Sequence, residues 1–153
     1  MQSKYFGIYQ GKVVSVSDPE KRGRIKVICP EVLYTSVSAW CDPCIPVAYD
    51  GGGDFCLPKM GEAVWLMFIS GDANKPVYLG GWWSKDSTPI NSNYSSDKRI
   101  INYANCTITL KDGKISLKVD NSSNNEVIIQ KDKMTIKGNL VVEGEIITPN
   151  KEV

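Results

Sequence analysis

The C-terminal third of the chain alternates apolar and polar residues, and no segment of helical periodicity accompanies it. Alternation with a period of two is typical of strands that bury one face and expose the other. Turn sequences at 112–113, 121–125 and 131–133 separate the alternating segments. Residues 100–153 therefore predict one-faced strands with an apolar stripe that a single chain cannot easily bury. The stripe consists of Ile108, Leu110, Ile115, Leu117, Val127, Ile129, Met134, Ile136, Leu140, Val142 and Ile146.

Two arrangements would cover this stripe. Either it folds back over the rest of the chain, or several copies of it wind around one another. An exposed stripe on a monomer would promote aggregation, whereas intertwining buries the stripe and removes the strand edges together. Gly138 and Gly144 share the apolar parity, which fits strands crowded around a symmetry axis; two ordinary bulges are the alternative.

The N-terminal half predicts a small β-barrel, because short strand-like runs alternate with turn-rich links. Its most apolar run, residues 63–69, suits a strand covered on both faces, as in a closed barrel. Residues 39–47 predict an edge or bulged strand, since Pro43 and Pro46 cannot donate ladder hydrogen bonds. Residues 30–38 favour an irregular connector, with a short helical turn as the alternative. The predicted strands, which fit a barrel of the OB type, are 5–16, 24–29, 39–47, 63–69 and 76–79.

The composition argues against enzymatic chemistry. The sequence has no histidine, which removes the commonest general acid–base group and the commonest metal ligand. A formal net charge of +1 gives no electrostatic argument for binding nucleic acid or an anionic membrane. Asp18/Glu20 and Asp50/Asp54 are candidate carboxylate pairs for glycoside hydrolysis, but both lie in turns, where acidic residues are usually solvated. We expect no catalytic residue and no cofactor.

The cysteines predict neither a disulfide framework nor a metal site. Five is an odd number, which argues against complete pairing. Cys41 and Cys44 form a CxxC, but its flanking prolines favour an extended segment rather than the helix start of a thioredoxin-like motif. Cys29 and Cys56 could complete a four-sulfur zinc site, although no second CxxC follows. The favoured interpretation is small apolar side chains in a reduced protein.

Residues 5–83 also carry an ordered series of motifs. They are Gly11, Asp18-Pro19, Gly23-Arg24, Pro30, Trp40, the 51–53 glycine loop, Pro58, Gly61-Glu62, Phe68, Gly71-Asp72, Pro76 and Leu79-Gly80. This series resembles the OB-fold domain of phage baseplate spike proteins. The valine-glycine repeat spikes of type VI secretion and the phage-tail-like bacteriocins share this domain. Cys41, Cys44 and Ala63 depart from the family pattern.

The resemblance implies an all-β protein with a five-stranded OB-fold barrel (1–83), a polar linker (84–99) and a short intertwined trimeric β-helix or β-prism (100–153). In that family the barrel docks on a tail hub, and the homotrimer pierces the target cell envelope mechanically. The implied location is the baseplate of a virion or tail-like particle, after cytoplasmic synthesis without a signal peptide. Without histidines to hold an apical metal, the point is formed otherwise or by a separate tip protein. Trp82 and Trp83 are predicted to pack at the domain junction.

An OB-type module that binds oligonucleotides or oligosaccharides is the alternative function. Its support is the aromatic content of the barrel region, namely Trp40, Trp65, Trp82 and Trp83. Tryptophans in a small barrel more often belong to the core or to an interface, and no basic groove is evident to guide a nucleic-acid backbone. The structural spike is therefore the favoured prediction.

Overall fold

The computed structural model describes residues 3–84, 95–120 and 125–146. The chain divides into two compact units, Met1–Pro89 and Ile90–Val153. Most of the predicted linker, the 121–124 part of the second turn and residues 147–153 lie outside the described residues. Both units are built from strands, so the all-β prediction is confirmed. Within the described residues, no helix is long and apolar enough to cross a membrane.

The elements of the first unit are β1 (Tyr9–Ser15), β2 (Lys26–Ile28), α1 (Pro30–Leu33), β3 (Asp42–Pro43), β4 (Ala48–Tyr49), β5 (Gly52–Gly53), β6 (Ala63–Phe68), a 3₁₀ turn (Ile69–Gly71) and β7 (Pro76–Gly81). Five of the strands form a curled sheet in the order β2-β1-β6-β7-β3. Neighbouring strands are antiparallel except β3 and β7, which are parallel. Ile25 and Cys41 exchange backbone hydrogen bonds of 3.2 and 2.8 Å, which join the β2 side of the sheet to the segment before β3. The predicted OB-type barrel is confirmed.

The barrel core is formed by the inward residues of β1, β2, β6 and β7 together with α1. Leu66 lies at its centre and is fully buried. Gly11 faces Leu66 from β1, and a Cβ atom at this position would lie 2.6 Å from Leu66 Cδ1. The glycine is therefore favoured by lack of room inside the barrel, where the buried Leu66 side chain would have to move. The core residues are Val13, Ile25, Val27, Cys29, Val32, Cys41, Val64, Leu66, Phe68 and Tyr78.

Two predictions about the barrel need correction. Residues 30–38 were expected to be irregular, yet they begin with α1, whose first position is taken by proline, a residue pre-organised for that place. Residues 39–47 were expected to form an edge or bulged strand, but they form only the two-residue strand Asp42–Pro43, beside a single antiparallel bridge from Cys41 to Ile25. The prolines explain the shortness of β3, because they remove ladder donors within and after it.

The strands of the second unit are β8 (Lys98–Tyr103), β9 (Cys106–Lys111), β10 (Lys114–Val119), β11 (Asn125–Gln130) and β12 (Lys133–Lys137). They form an antiparallel meander in the order β12-β11-β10-β9-β8. Strand β8 was not predicted from the sequence, and it begins inside the predicted linker. Residues 138–146 were expected to continue the alternation, but they follow β12 without belonging to any strand. Gly138, with φ +113°, ends β12.

Candidate assembly surfaces

The sheet of the second unit brings eight of the predicted interface residues onto one face. In its register, Leu117 of β10 lies between Ile108 of β9 and Val127 of β11. The same alignment continues across the neighbouring rows. We call this surface the apolar face; it consists of Ile101, Tyr103, Ile108, Leu110, Ile115, Leu117, Val119, Val127, Ile129, Met134 and Ile136.

The apolar face is exposed, whereas parts of the opposite, polar face are buried. Leu117, at the centre of the apolar face, is 43% exposed, and Met134 on the edge strand is 63% exposed. Ser116 and Ile128, which point to the other side, are both buried. The polar face carries the strand residues of the opposite parity, and several of them line a groove of about 690 Å³. The sheet of this single chain therefore curls around its polar face and leaves its apolar face largely exposed. Residues 139–141 line a cavity of about 490 Å³ together with Ile108, Leu117 and Val127 at one end of the apolar face.

A hydrogen-bonded cluster satisfies the buried end of the polar face. Ser116 Oγ donates to Glu126 Oε1 at 2.5 Å, and Lys137 Nζ donates to Glu126 Oε2 at 2.6 Å. The Lys137 ammonium, followed by the Ser116 hydroxyl, holds the pKa of the Glu126 carboxyl below its usual range. The polar face is thus internally paired at this point and does not need a partner.

The structure adds residues to the predicted interface and separates others from it. Ile101 and Tyr103 join the apolar face from the unpredicted strand β8. The sequence pattern did not predict this strand, because Ile100 and Ile101 are both apolar and interrupt the alternation. Conversely, the predicted residues Leu140, Val142 and Ile146 are exposed and belong to no strand, although Leu140 lines a cavity together with Ile108 and Leu117.

Tryptophans gather at the end of β7 in the first unit. Trp82 packs against Trp65 with ring centroids 5.6 Å apart, while Trp83 is 69% exposed. Trp82 Nε1 is buried and has no hydrogen-bond partner among the described residues. Trp82 and Trp83 both line a cavity of about 450 Å³, which Glu62 and Tyr78 also line. Neither tryptophan is a core residue, and the junction role assigned to them stays a prediction.

The Asp18-Pro19 and Gly23-Arg24 motifs form an ion-paired turn. Asp18 Oδ1 accepts hydrogen bonds from Arg24 Nε at 3.1 Å and Nη2 at 2.6 Å, and Oδ2 accepts from the Arg22 backbone N–H at 2.7 Å. The Arg24 guanidinium holds the pKa of the Asp18 carboxyl well below its usual range. Gly23 adopts φ +77°, and its carbonyl accepts a 2.8 Å hydrogen bond from Tyr78 Oη. A carboxylate held in this way organises a turn and is a poor proton donor for hydrolysis.

The cysteines occupy separate environments. Cys29 and Cys41 are fully buried in the barrel core, whereas Cys44, Cys56 and Cys106 are exposed. Burial raises the pKa of the Cys41 thiol to about 11. The structure therefore supports the interpretation of Cys29 and Cys41 as small apolar core residues. No cluster of potential metal ligands is found among the described residues.

The tryptophans do not form a common stacking platform. Arg24 and Lys26 cover the Trp40 ring, at 5.6 and 4.9 Å from its centroid. Trp65 faces Trp82. This arrangement uses aromatic surface within the protein and gives no support to the alternative of nucleic-acid or saccharide binding.

Comparison with protein families assigns the barrel. Residues 9–83 match the family of the type VI secretion system/phage-baseplate injector OB domain. The match begins at β1 and ends at Trp83, so it covers the strands of the first unit. The N-terminal barrel is similar to this OB domain, and the resemblance stated from the sequence is confirmed. A comparison with curated proteins gave no match. The family supports a structural role in a baseplate or injector.

Proposed function

We propose that this protein is the structural spike at the baseplate tip of a contractile phage tail or tail-like particle. The observation that carries the proposal is the exposed apolar face of the second unit, on a sheet that curls around its polar side. The injector OB domain supports a place in the baseplate. The sheet supplies the surface on which copies of the chain assemble.

The apolar face is large enough to serve as an interaction surface. Five strands about 4.8 Å apart, with about six residues at 3.3 Å each, outline a face of roughly 480 Å². Patches of this size on soluble monomers commonly mark interaction sites. Three copies with their apolar faces turned towards a common axis form a homotrimeric β-prism or β-helix. The trimer agrees with the spike architecture that the family resemblance implies.

The proposed mechanism is mechanical. The barrel docks on the tail hub, and the rigid trimeric spike transmits thrust to the target cell envelope. No catalytic step is needed: Asp18 is held by Arg24, while Asp50 and Asp54 are exposed in and after the β4–β5 hairpin. A separate tip protein completes the point below the spike.

Labelling of intact particles tests the location. Antibodies against the barrel, applied to purified tail particles, are expected to mark only the baseplate end in electron micrographs. Particles from a strain that lacks the gene are the matched control and are expected to remain unlabelled. Labelling along the sheath, or the absence of the protein from particles that are otherwise complete, would contradict the proposal.

A further inference from the structure

We propose that residues 139–143 of one copy form a sixth strand that pairs antiparallel with β8 of a neighbouring copy. This inference rests on the assembly described under the proposed function and specifies how the copies join. The observation behind it is an alternating segment that belongs to no strand, beside a sheet in which β8 is an edge strand among the described residues.

Residues 139–143 have the composition of a strand. Leu140 and Val142 continue the apolar parity of β12, and Glu143 lies on the polar parity. All of these residues are exposed, and Val141 is 82% exposed. β-Branched residues with alternating polarity are typical of a strand that packs on one face. Among the described residues of one chain, no strand pairs with this segment.

A single antiparallel register matches the segment to β8 at four of its five positions; at the fifth, Arg99 lies opposite Val142. On the polar face, Lys98 lies opposite Glu143 and Asn102 lies opposite Asn139. The same register sets Ile100 opposite Val141, which are the apolar exceptions on the polar parity of their strands. On the apolar face it sets Ile101 opposite Leu140. Opposite charges and paired apolar side chains are the cross-strand combinations that stabilise a sheet.

The partner must be another copy, because the segment cannot reach β8 of its own chain in this register. Lys137 lies in a cross-strand row that continues through Glu126, Lys118 and Thr107 to Asn102. The row crosses four strand spacings, or about 19 Å along the sheet. Only Gly138 separates Lys137 from Asn139, and two extended residues span about 7 Å.

The charges at the two edges are available for this contact. Within the described residues, neither Lys98 nor Glu143 takes part in an ion pair. Pairing between copies would also bring Leu140 and Val142 onto the apolar face. The proposed strand thus gives a place in the interface to two predicted residues that the single chain leaves outside its sheet.

Disulfide trapping tests the pairing in the full chain. The variant Ile100→Cys/Val141→Cys, with the exposed Cys44, Cys56 and Cys106 replaced by serine, is oxidised and run on a non-reducing denaturing gel. Covalent species of two and three chains are expected. The control Ile100→Cys/Leu140→Cys places the two thiols on opposite faces and is expected to link at least tenfold less. Light scattering on the same samples reports assembly.

The outcomes separate the two proposals. A trimer whose chains remain unlinked, or which acquires a disulfide only within one chain, would overturn the pairing and leave the spike proposal standing. A monomer by light scattering would overturn both.

Charge reversal provides an independent test that needs no thiol. Lys98→Glu or Glu143→Lys alone is expected to weaken trimer association about tenfold, because a like-charge pair replaces an attractive pair in each of three contacts. The double variant Lys98→Glu/Glu143→Lys is expected to restore it. A double variant as weak as the sum of the singles would refute the pairing.

Discussion

Replacing Leu117 with asparagine tests whether the apolar face holds the copies together. Leu117 lies at the centre of this face and is 43% exposed in one chain. Its side chain has no role in the barrel, so the first unit should fold normally in the variant. The expected result is a protein with an intact barrel and weakened association.

The magnitude follows from the exposed part of the side chain. Burying a leucine side chain fully contributes about 2 kcal/mol, so the exposed 43% of Leu117 corresponds to about 0.9 kcal/mol per copy. Over three copies the loss is about 2.6 kcal/mol, or about 80-fold in the association constant. The buried asparagine adds a further cost unless its amide finds hydrogen-bond partners.

Sedimentation velocity over a range of protein concentrations measures the association constant. The matched control is Met60→Asn, which changes an exposed apolar residue of the barrel, 65% exposed, in the same chemical sense. The control is expected to associate like the original protein. If Leu117→Asn also associates unchanged, the apolar face is not the interface and the reasoning from its exposure is refuted.

Three further predictions concern the barrel. Leu66→Ala is expected to lower the free energy of unfolding by about 2–5 kcal/mol in denaturant titrations, because it opens a cavity in the core. Gly11→Ala is expected to cost about 1–3 kcal/mol through its 2.6 Å contact with Leu66, and the two changes combined should cost less than their sum; strict additivity would contradict this contact. Asp18→Asn is expected to lower the melting temperature at neutral pH, since Arg24 loses its carboxylate partner. The folded-state pKa of Asp18 is depressed, so its stabilisation is present above the unfolded pKa of about 3.9 and is lost as the pH falls below it. The difference in melting temperature between the two proteins should therefore narrow below about pH 4, and a constant difference down to pH 2 would contradict the role of the ion pair.

Local periodicity predicted the shared face of β9 to β12 because strand geometry alone places alternate residues on one side. It missed β8, where Ile100 and Ile101 interrupt the alternation. It also missed α1, whose four residues are too few for a helical period to be visible. These failures are local, and each follows from a pattern too short or too irregular to read.

The strand prediction for residues 138–146 failed for a different reason. Their alternation continues that of β12 with Val141 as its exception, yet they form no strand among the described residues. Pairing is a non-local property, and the pattern of a segment does not specify which strand will lie beside it. The turn at Asp18 was likewise visible as turn chemistry, whereas its bond to Arg24 and the cover of Trp40 by cations depend on the fold.

The mass of the full chain in solution tests the central claim most directly. Light scattering on the full chain, beside a chain that ends at Ser84, compares the protein with and without its second unit. The full chain is expected to have about three times the mass of one 16.9 kDa chain, and the shorter chain is expected to be a monomer. A full chain that remains monomeric at micromolar concentration would contradict the spike.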